Sequence, residues 1–315
     1  MPRFRNRLPQ LDGSLFLTDG GIETDLIFND GFELPHFAAF HLLKDEKGTW
    51  ALRAYFTRYA RIAAASGTGF ILESPTWRAS ADWGDKLGYS PAALAAANAQ
   101  AIDLMRELRE QLSATNTPVV ISGCVGPRGD GYIPDPVPSK DEAQAYHAVQ
   151  IGAFAKSDAD MVTAITMTNA NEAIGITRAA HVASMPVAIA FTVETDGRLP
   201  TGQPLKEAIE EVDAETANGP AYFMINCAHP THFDSTLAGK SRWTERICGI
   251  RANASRRSHA ELNEAPDLDA GNPVELGGQY AELRRKHPRI NVLGGCCGTD
   301  YRHIEQIASA CRVAA

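Results

Sequence analysis

No stretch of this chain is apolar for long enough to cross a bilayer. Its longest apolar runs, such as Met185–Val193, stop far short of the roughly 20 residues that a spanning helix needs. No signal-length apolar segment follows the basic start Met1-Pro-Arg-Phe-Arg-Asn-Arg before Asp12, so a cytoplasmic location is expected. Clustered lysine and arginine are also missing, and the formal net charge is -8, which argues against a nucleic-acid surface. The chain lacks the CxxC spacing of redox pairs. It has no dinucleotide-type glycine fingerprint after its first strand, no exact internal repeat and no low-complexity linker.

What remains is an ordinary globular composition, with 315 residues of which 44% are hydrophobic and 22% charged. A chain of this length buries a full core without staples, so any metal it holds should serve chemistry more than folding. Its six cysteines lack the small size and secretory context of a disulfide framework. Reduced thiols fit better. Cys124, Cys248 and Cys311 read as structural, with Cys248 in a strand, Cys311 in the last helix and Cys124 at a strand end, where it is also placed to line the pocket.

Short β-branched runs alternate with amphipathic, alanine-rich ones. Strands are expected at Ser14–Thr18, Gly69–Leu72, Pro118–Ser122, Asp160–Ile165, Pro186–Phe191, Ala221–Ile225, Ile247–Ile250 and Asn291–Leu293. Helices are expected at Trp50–Ala65, Pro91–Leu112, Asp141–Lys156, Asn171–Val182, Pro204–Glu215, Glu275–Lys286 and His303–Val313. This alternation predicts an α/β protein, a (β/α)8 TIM barrel formed as a single domain over residues 1–315. The polar segment Ser255–Asn272 reads as a long loop. In such a barrel the active site lies at the carboxyl ends of the strands, where Cys227 and the pair Cys296-Cys297 both fall.

The run Gly294-Gly295-Cys296-Cys297-Gly298-Thr299 is the most specific feature of the chain. Consecutive strand side chains point to opposite faces, so adjacent thiols converge only where the chain leaves the strand. The flanking glycines permit that. Three thiolates would give Zn²⁺ three of its four tetrahedral ligands and leave one position for a substrate. A thiol bound there would lose its proton and become nucleophilic. The motif alone also accommodates a buried, inert double cysteine.

The segments Thr18-Asp19-Gly20-Gly21-Ile22-Glu23-Thr24-Asp25-Leu26, Asn226-Cys227 and Gly294–Thr299 resemble the signature segments of the homocysteine S-methyltransferase family. The likeness runs from near Leu17 to near Ile304. It implies a (β/α)8 barrel with Cys227, Cys296 and Cys297 as Zn²⁺ ligands, and with Asp19, Gly20 and Gly21 contacting the amino-acid part of homocysteine. Glu23, Thr76, Trp77, Thr166 and Asn226 are further candidate substrate contacts. The implied reaction moves a methyl group from a sulfonium or betaine-like donor to homocysteine, giving methionine.

The sequence departs from the family pattern in two places. Ile165-Thr166 stands where relatives carry Glu-Thr, whose carboxylate holds the substrate amino group, while Glu23 stands where many carry glycine. Glu23 is a candidate for the missing charge, or simply an acidic residue favoured at a helix N-terminus, and Glu73 is another candidate counter-charge. Trp77 and Trp83 offer indole faces for a cationic donor, whereas Arg78 between them would repel it unless it points away, and suits a carboxylate instead. His229 reads as a loop histidine. Expected partners are a small thiol and a methyl donor, with no nucleic acid or membrane. A different thiol acceptor, a separate folate or corrinoid carrier as donor, and a non-catalytic zinc-binding or thiol-sensing barrel are the alternatives.

Overall fold

The structure is a computed structural model that describes residues 1–113, 117–134, 136–239 and 241–312. Eight parallel strands close on themselves in chain order. They are β1 (Phe16–Leu17), β2 (Gly69–Glu73), β3 (Val119–Val125), β4 (Met161–Met167), β5 (Val187–Thr192), β6 (Tyr222–Asn226), β7 (Ile247–Ala252) and β8 (Val292–Gly295). Closure is made by β1 and β8, where Phe16 lies opposite Val292 and Leu17 opposite Leu293. The expected (β/α)8 barrel is the fold.

The helices in chain order are α1 (Ile22–Thr24), α2 (Glu46–Ser66), α3 (Ala81–Lys86), α4 (Pro91–Gln111), α5 (Lys140–Ala155) and α6 (Ala170–Val182). They continue with α7 (Leu205–Glu215), α8 (Pro230–Phe233), α9 (His259–Glu264), α10 (Pro273–Lys286) and α11 (Tyr301–Arg312). All seven expected helices are present, although Val313, the expected end of the last, lies outside the described residues. Capping sets their starts: Asp45 accepts from Gly48 N at 2.8 Å, so α2 begins before Trp50. The expected loop Ser255–Asn272 contains α9, started by a capping box between Ser258 and Glu261. Among the described residues, no helix is long and apolar enough to cross a membrane.

Strand β1 is shorter than the expected Ser14–Thr18, but the others run further than their apolar runs suggest, β3 as far as Val125 and β4 as far as Met167. Alternation explains what those extensions carry. Ile71, Val120, Met161, Ala188, Tyr222, Met224 and Val292 belong to the apolar cluster that fills the barrel. Two residues on along the same faces come Glu73, Ser122, Thr163 and Asn226, all buried. The barrel is therefore apolar at its base and polar towards the strand carboxyl ends. The basic N-terminus closes the base, with Arg5 donating to the carbonyls of Ala155, Ser157 and Ala159. Gln10 donates to Tyr222 Oη at 3.4 Å inside it.

Candidate metal centre and substrate site

Cys227 is the first residue beyond β6 and has a left-handed backbone, φ 55°. A non-glycine residue holds this conformation only when its surroundings over-determine it. Here Cys227 N donates to Arg251 O at 3.0 Å, and its carbonyl accepts from Asn253 Nδ2 at 3.0 Å and from His259 Nε2 at 2.5 Å. Cys296 and Cys297 follow β8, where Cys296 N donates to Ala252 O at 2.8 Å and Gly298 turns the chain with φ 78°. Gly294 and Gly295 are required for packing, since a Cβ at either would collide with the hydroxyl of Thr18 or Thr299.

These turns bring three sulfurs together. Cys227 Sγ lies 3.1 Å from Cys296 Sγ and 3.5 Å from Cys297 Sγ, and the three form a group of metal-ligand type. The set is all sulfur, which suits a soft or borderline ion. Thiolates around a tetrahedral zinc sit about 3.8 Å apart, so Cys227 needs to move from each of the other two sulfurs by less than an ångström. The residues fit the ion. Hydrogen bonds from Cys227 and Cys297, helped by the nearby Arg251 cation, hold Cys296 well below the ordinary thiol range.

Two side chains next to the sulfurs were not singled out from sequence. The Tyr132 hydroxyl, from the loop after β3, lies 3.0 Å from Cys227 Sγ and 3.5 Å from Cys297 Sγ. Its ring stacks on His259 at 4.1 Å between centroids, and His259 Nδ1 lies 3.1 Å from Glu194 Oε1. Nothing in the loop sequence marks Tyr132. Arg251, on β7, is the other: its Nη2 donates to Asp19 Oδ1 at 2.7 Å and to Gly20 O at 3.2 Å. Burial works against its charge, but Asp19 and Glu73 outweigh that and keep Arg251 a cation. Its place at a strand end was the available signal.

The remaining predicted residues divide into committed and free groups. Asp19 is committed, because Tyr55 Oη donates to its second oxygen at 3.0 Å while Arg251 holds the first. Gly20 and Gly21 let the β1 loop approach the backbone of Thr299 and Cys296. Thr76 donates its hydroxyl to Cys124 O at 2.7 Å. Asn226 Nδ2 donates to Thr166 Oγ1 at 2.9 Å and reaches Cys296 Sγ at 3.9 Å.

Ile165 is buried at the end of β4, and its carbonyl accepts from Trp77 Nε1 at 3.2 Å. Burial pushes Glu23 up to about 8, against a backbone hydrogen bond that pulls it down, with further upward contributions from Cys296 and Asp19. Burial likewise pushes Glu73 up to about 7, and its Oε2 has no hydrogen-bond partner. Arg78 lies over the rings of both Trp77 and Trp83, at 3.8 and 3.7 Å, so those indole faces already hold a cation of the protein. His229 caps α8 and points its ring at Thr231.

The sequence model of the homocysteine S-methyltransferase family matches residues 16–311. The chain belongs to that family. It is accordingly an S-methyltransferase that works on small molecules. The fold matches homocysteine methyltransferase MmuM from Escherichia coli. Its oxidized form superposes with a TM-score of 0.74 at 18% identity, covering 94% of this chain and 95% of that one. Its metallated form gives 0.72 at 19%, covering 94% and 96%, and its apo form 0.68 at 18%, covering 99% and 100%. No curated protein sequence matches the chain. In this member Cys227, Cys296 and Cys297 cluster, while the β4 terminus carries Ile165 and no carboxylate.

Proposed function

We propose that this enzyme transfers a methyl group from a sulfonium or betaine-like donor to the thiol of homocysteine, giving methionine. The carrying observation is the convergence of Cys227, Cys296 and Cys297 at the barrel mouth, with sulfurs 3.1 and 3.5 Å apart. These three residues would hold Zn²⁺. When bound, zinc supplies the positive field that removes the proton of an incoming thiol and fixes its sulfur for attack on the methyl group.

The chain's own residues do the rest. Asn226 and Arg251 set the positions of the strand ends that carry the cysteines. Tyr132 and His259 cover the sulfurs and exclude water. Glu23, within electrostatic reach of Cys296, takes the place of the missing β4 carboxylate: the incoming ammonium group favours its ionised form, and the carboxylate then holds that ammonium. Thr166 and Trp77 both approach Gly131, in the loop that carries Tyr132. No general base is needed. Reduced thiols of this kind suit the cytoplasm.

A second reading, a different thiol acceptor, draws on Ile165, which removes charge from the β4 wall. The deciding experiment incubates the zinc-loaded enzyme with homocysteine and a panel of sulfonium and betaine donors, reading methionine by mass. Methionine from any one donor is the expected result. No methionine from all of them, with zinc bound, would shift the assignment to another thiol.

A further inference from the structure

Three arginines are buried in this fold: Arg78, Arg109 and Arg251. Two are paired as buried cations must be, Arg109 with Asp160 at 2.8 Å and Arg251 with Asp19 at 2.7 Å. Arg78 is only 5% exposed and has no such partner. Its Nη1 donates to Gly129 O at 2.9 Å, and its buried Nε has no hydrogen-bond partner. Among the described residues, carboxylates act on it only through space, Asp130 first and Glu23 next.

The guanidinium is also held in place. Its carbon lies 3.8 Å from the Trp77 ring centroid and 3.7 Å from that of Trp83. A planar group fixed between two indoles keeps its orientation at little entropic cost. With Nη1 committed to Gly129, the Nε edge is the one left for a ligand. That edge matches the two oxygens of a carboxylate. Gly129 belongs to the same loop as Tyr132, whose hydroxyl lies 3.0 Å from Cys227 Sγ. Arg78 is thus anchored to the loop that touches the cysteines, and Glu23 is near enough to act electrostatically on both Arg78 and Cys296.

We propose that Arg78 binds the carboxylate of the amino-acid thiol acceptor and determines specificity for it. This rests on the proposed methylation of homocysteine. Arg78, and Glu23 once the arriving ammonium has favoured its ionised form, then clamp one zwitterion whose sulfur sits at the cysteines. The Trp77 and Trp83 faces serve to fix the arginine, and the donor's cation approaches from elsewhere.

The test compares homocysteine with 3-aminopropane-1-thiol, which has the same amine and thiol but no carboxylate. Zinc-loaded wild type, Arg78→Met and Arg78→Lys are each assayed with both thiols, and homocysteine binding is measured by calorimetry without donor. In Arg78→Met the preference for homocysteine falls roughly 10–100-fold, the range of a lost charge-assisted hydrogen-bond pair. The loss appears in the acceptor KM and in the calorimetric affinity, while the donor KM stays put. Arg78→Lys recovers part of it, since a point charge replaces the fork.

Equal losses for both thiols would show a merely structural arginine and overturn the proposal, as would a rise confined to the donor KM. If wild type binds homocysteine in an Arg78-dependent way yet makes no methionine, the carboxylate seat stands and the methylation reading falls. Homocysteine binding equally to wild type and Arg78→Met sinks the seat alone.

Discussion

Asn226 and Thr166 are joined by a reciprocal pair of hydrogen bonds across the barrel mouth. Thr166 N donates to Asn226 Oδ1 at 2.9 Å, and Asn226 Nδ2 donates to Thr166 Oγ1 at 2.9 Å. Thr166 has φ 68°, so the pair holds a threonine in a left-handed conformation that a β-branched residue otherwise avoids. The same amide reaches Cys296 Sγ at 3.9 Å. One side chain therefore ties the end of β4, the end of β6 and the cysteine turn after β8.

Asn226→Ala leaves the buried Thr166 N–H without its acceptor, a cost of about 1–3 kcal/mol. We expect a lower urea midpoint with an unchanged slope, and a fall in turnover larger than the fall in zinc content. Wild-type stability in this variant would show that the strand ends hold their places without the amide.

Cys227→Ala removes one of three converging sulfurs. Two thiols make a poor zinc site, so the purified variant should carry far less than one zinc per chain and methylate no thiol. Metal analysis and mass detection of product check both. Full turnover by metal-free protein would sink the mechanism.

Arg251→Met strips the partner from Asp19, which burial already pushes upward and the arginine pulls down. Breaking a buried pair by removing one member costs about 3–5 kcal/mol. Thermal and urea unfolding should both show it. Arg251→Met combined with Asp19→Asn should recover a good part of the loss, because the uncompensated charge is gone.

Glu73 carries a pH dependence of definite sign. Burial raises it from 4.5 to about 7, so between those values the folded chain binds more protons than the unfolded one. Stability contributed by this residue is then fully present below about pH 4.5 and falls as pH rises towards 7. Glu73→Gln should flatten that slope and gain on wild type at pH 8 relative to pH 5, as read by urea titrations at both. A parallel pH profile in the two proteins would show that Glu73 is not the group responsible.

The fold and the cysteine cluster were largely legible in the sequence. Alternating apolar runs separated by amphipathic ones specify strands and helices through side-chain period alone, and Gly294-Gly295-Cys296-Cys297-Gly298 announces a turn with two thiols. Even Cys227 could be placed, because strand ends of a closed barrel share one face.

Which polar groups are spent and which are free was not legible. Asp19 reads as a substrate contact until Arg251, far along the chain, is found on it at 2.7 Å. Trp77 and Trp83 read as faces for a donor cation until Arg78 is found between them. Tyr132 carries no signal at all, yet its hydroxyl meets the cysteines. Periodicity is a property of neighbours in the chain, so sequence by itself determined the barrel and the three sulfurs. Partner choice among buried charges depends on distances between residues from different strands, and only the closed tertiary structure decided that.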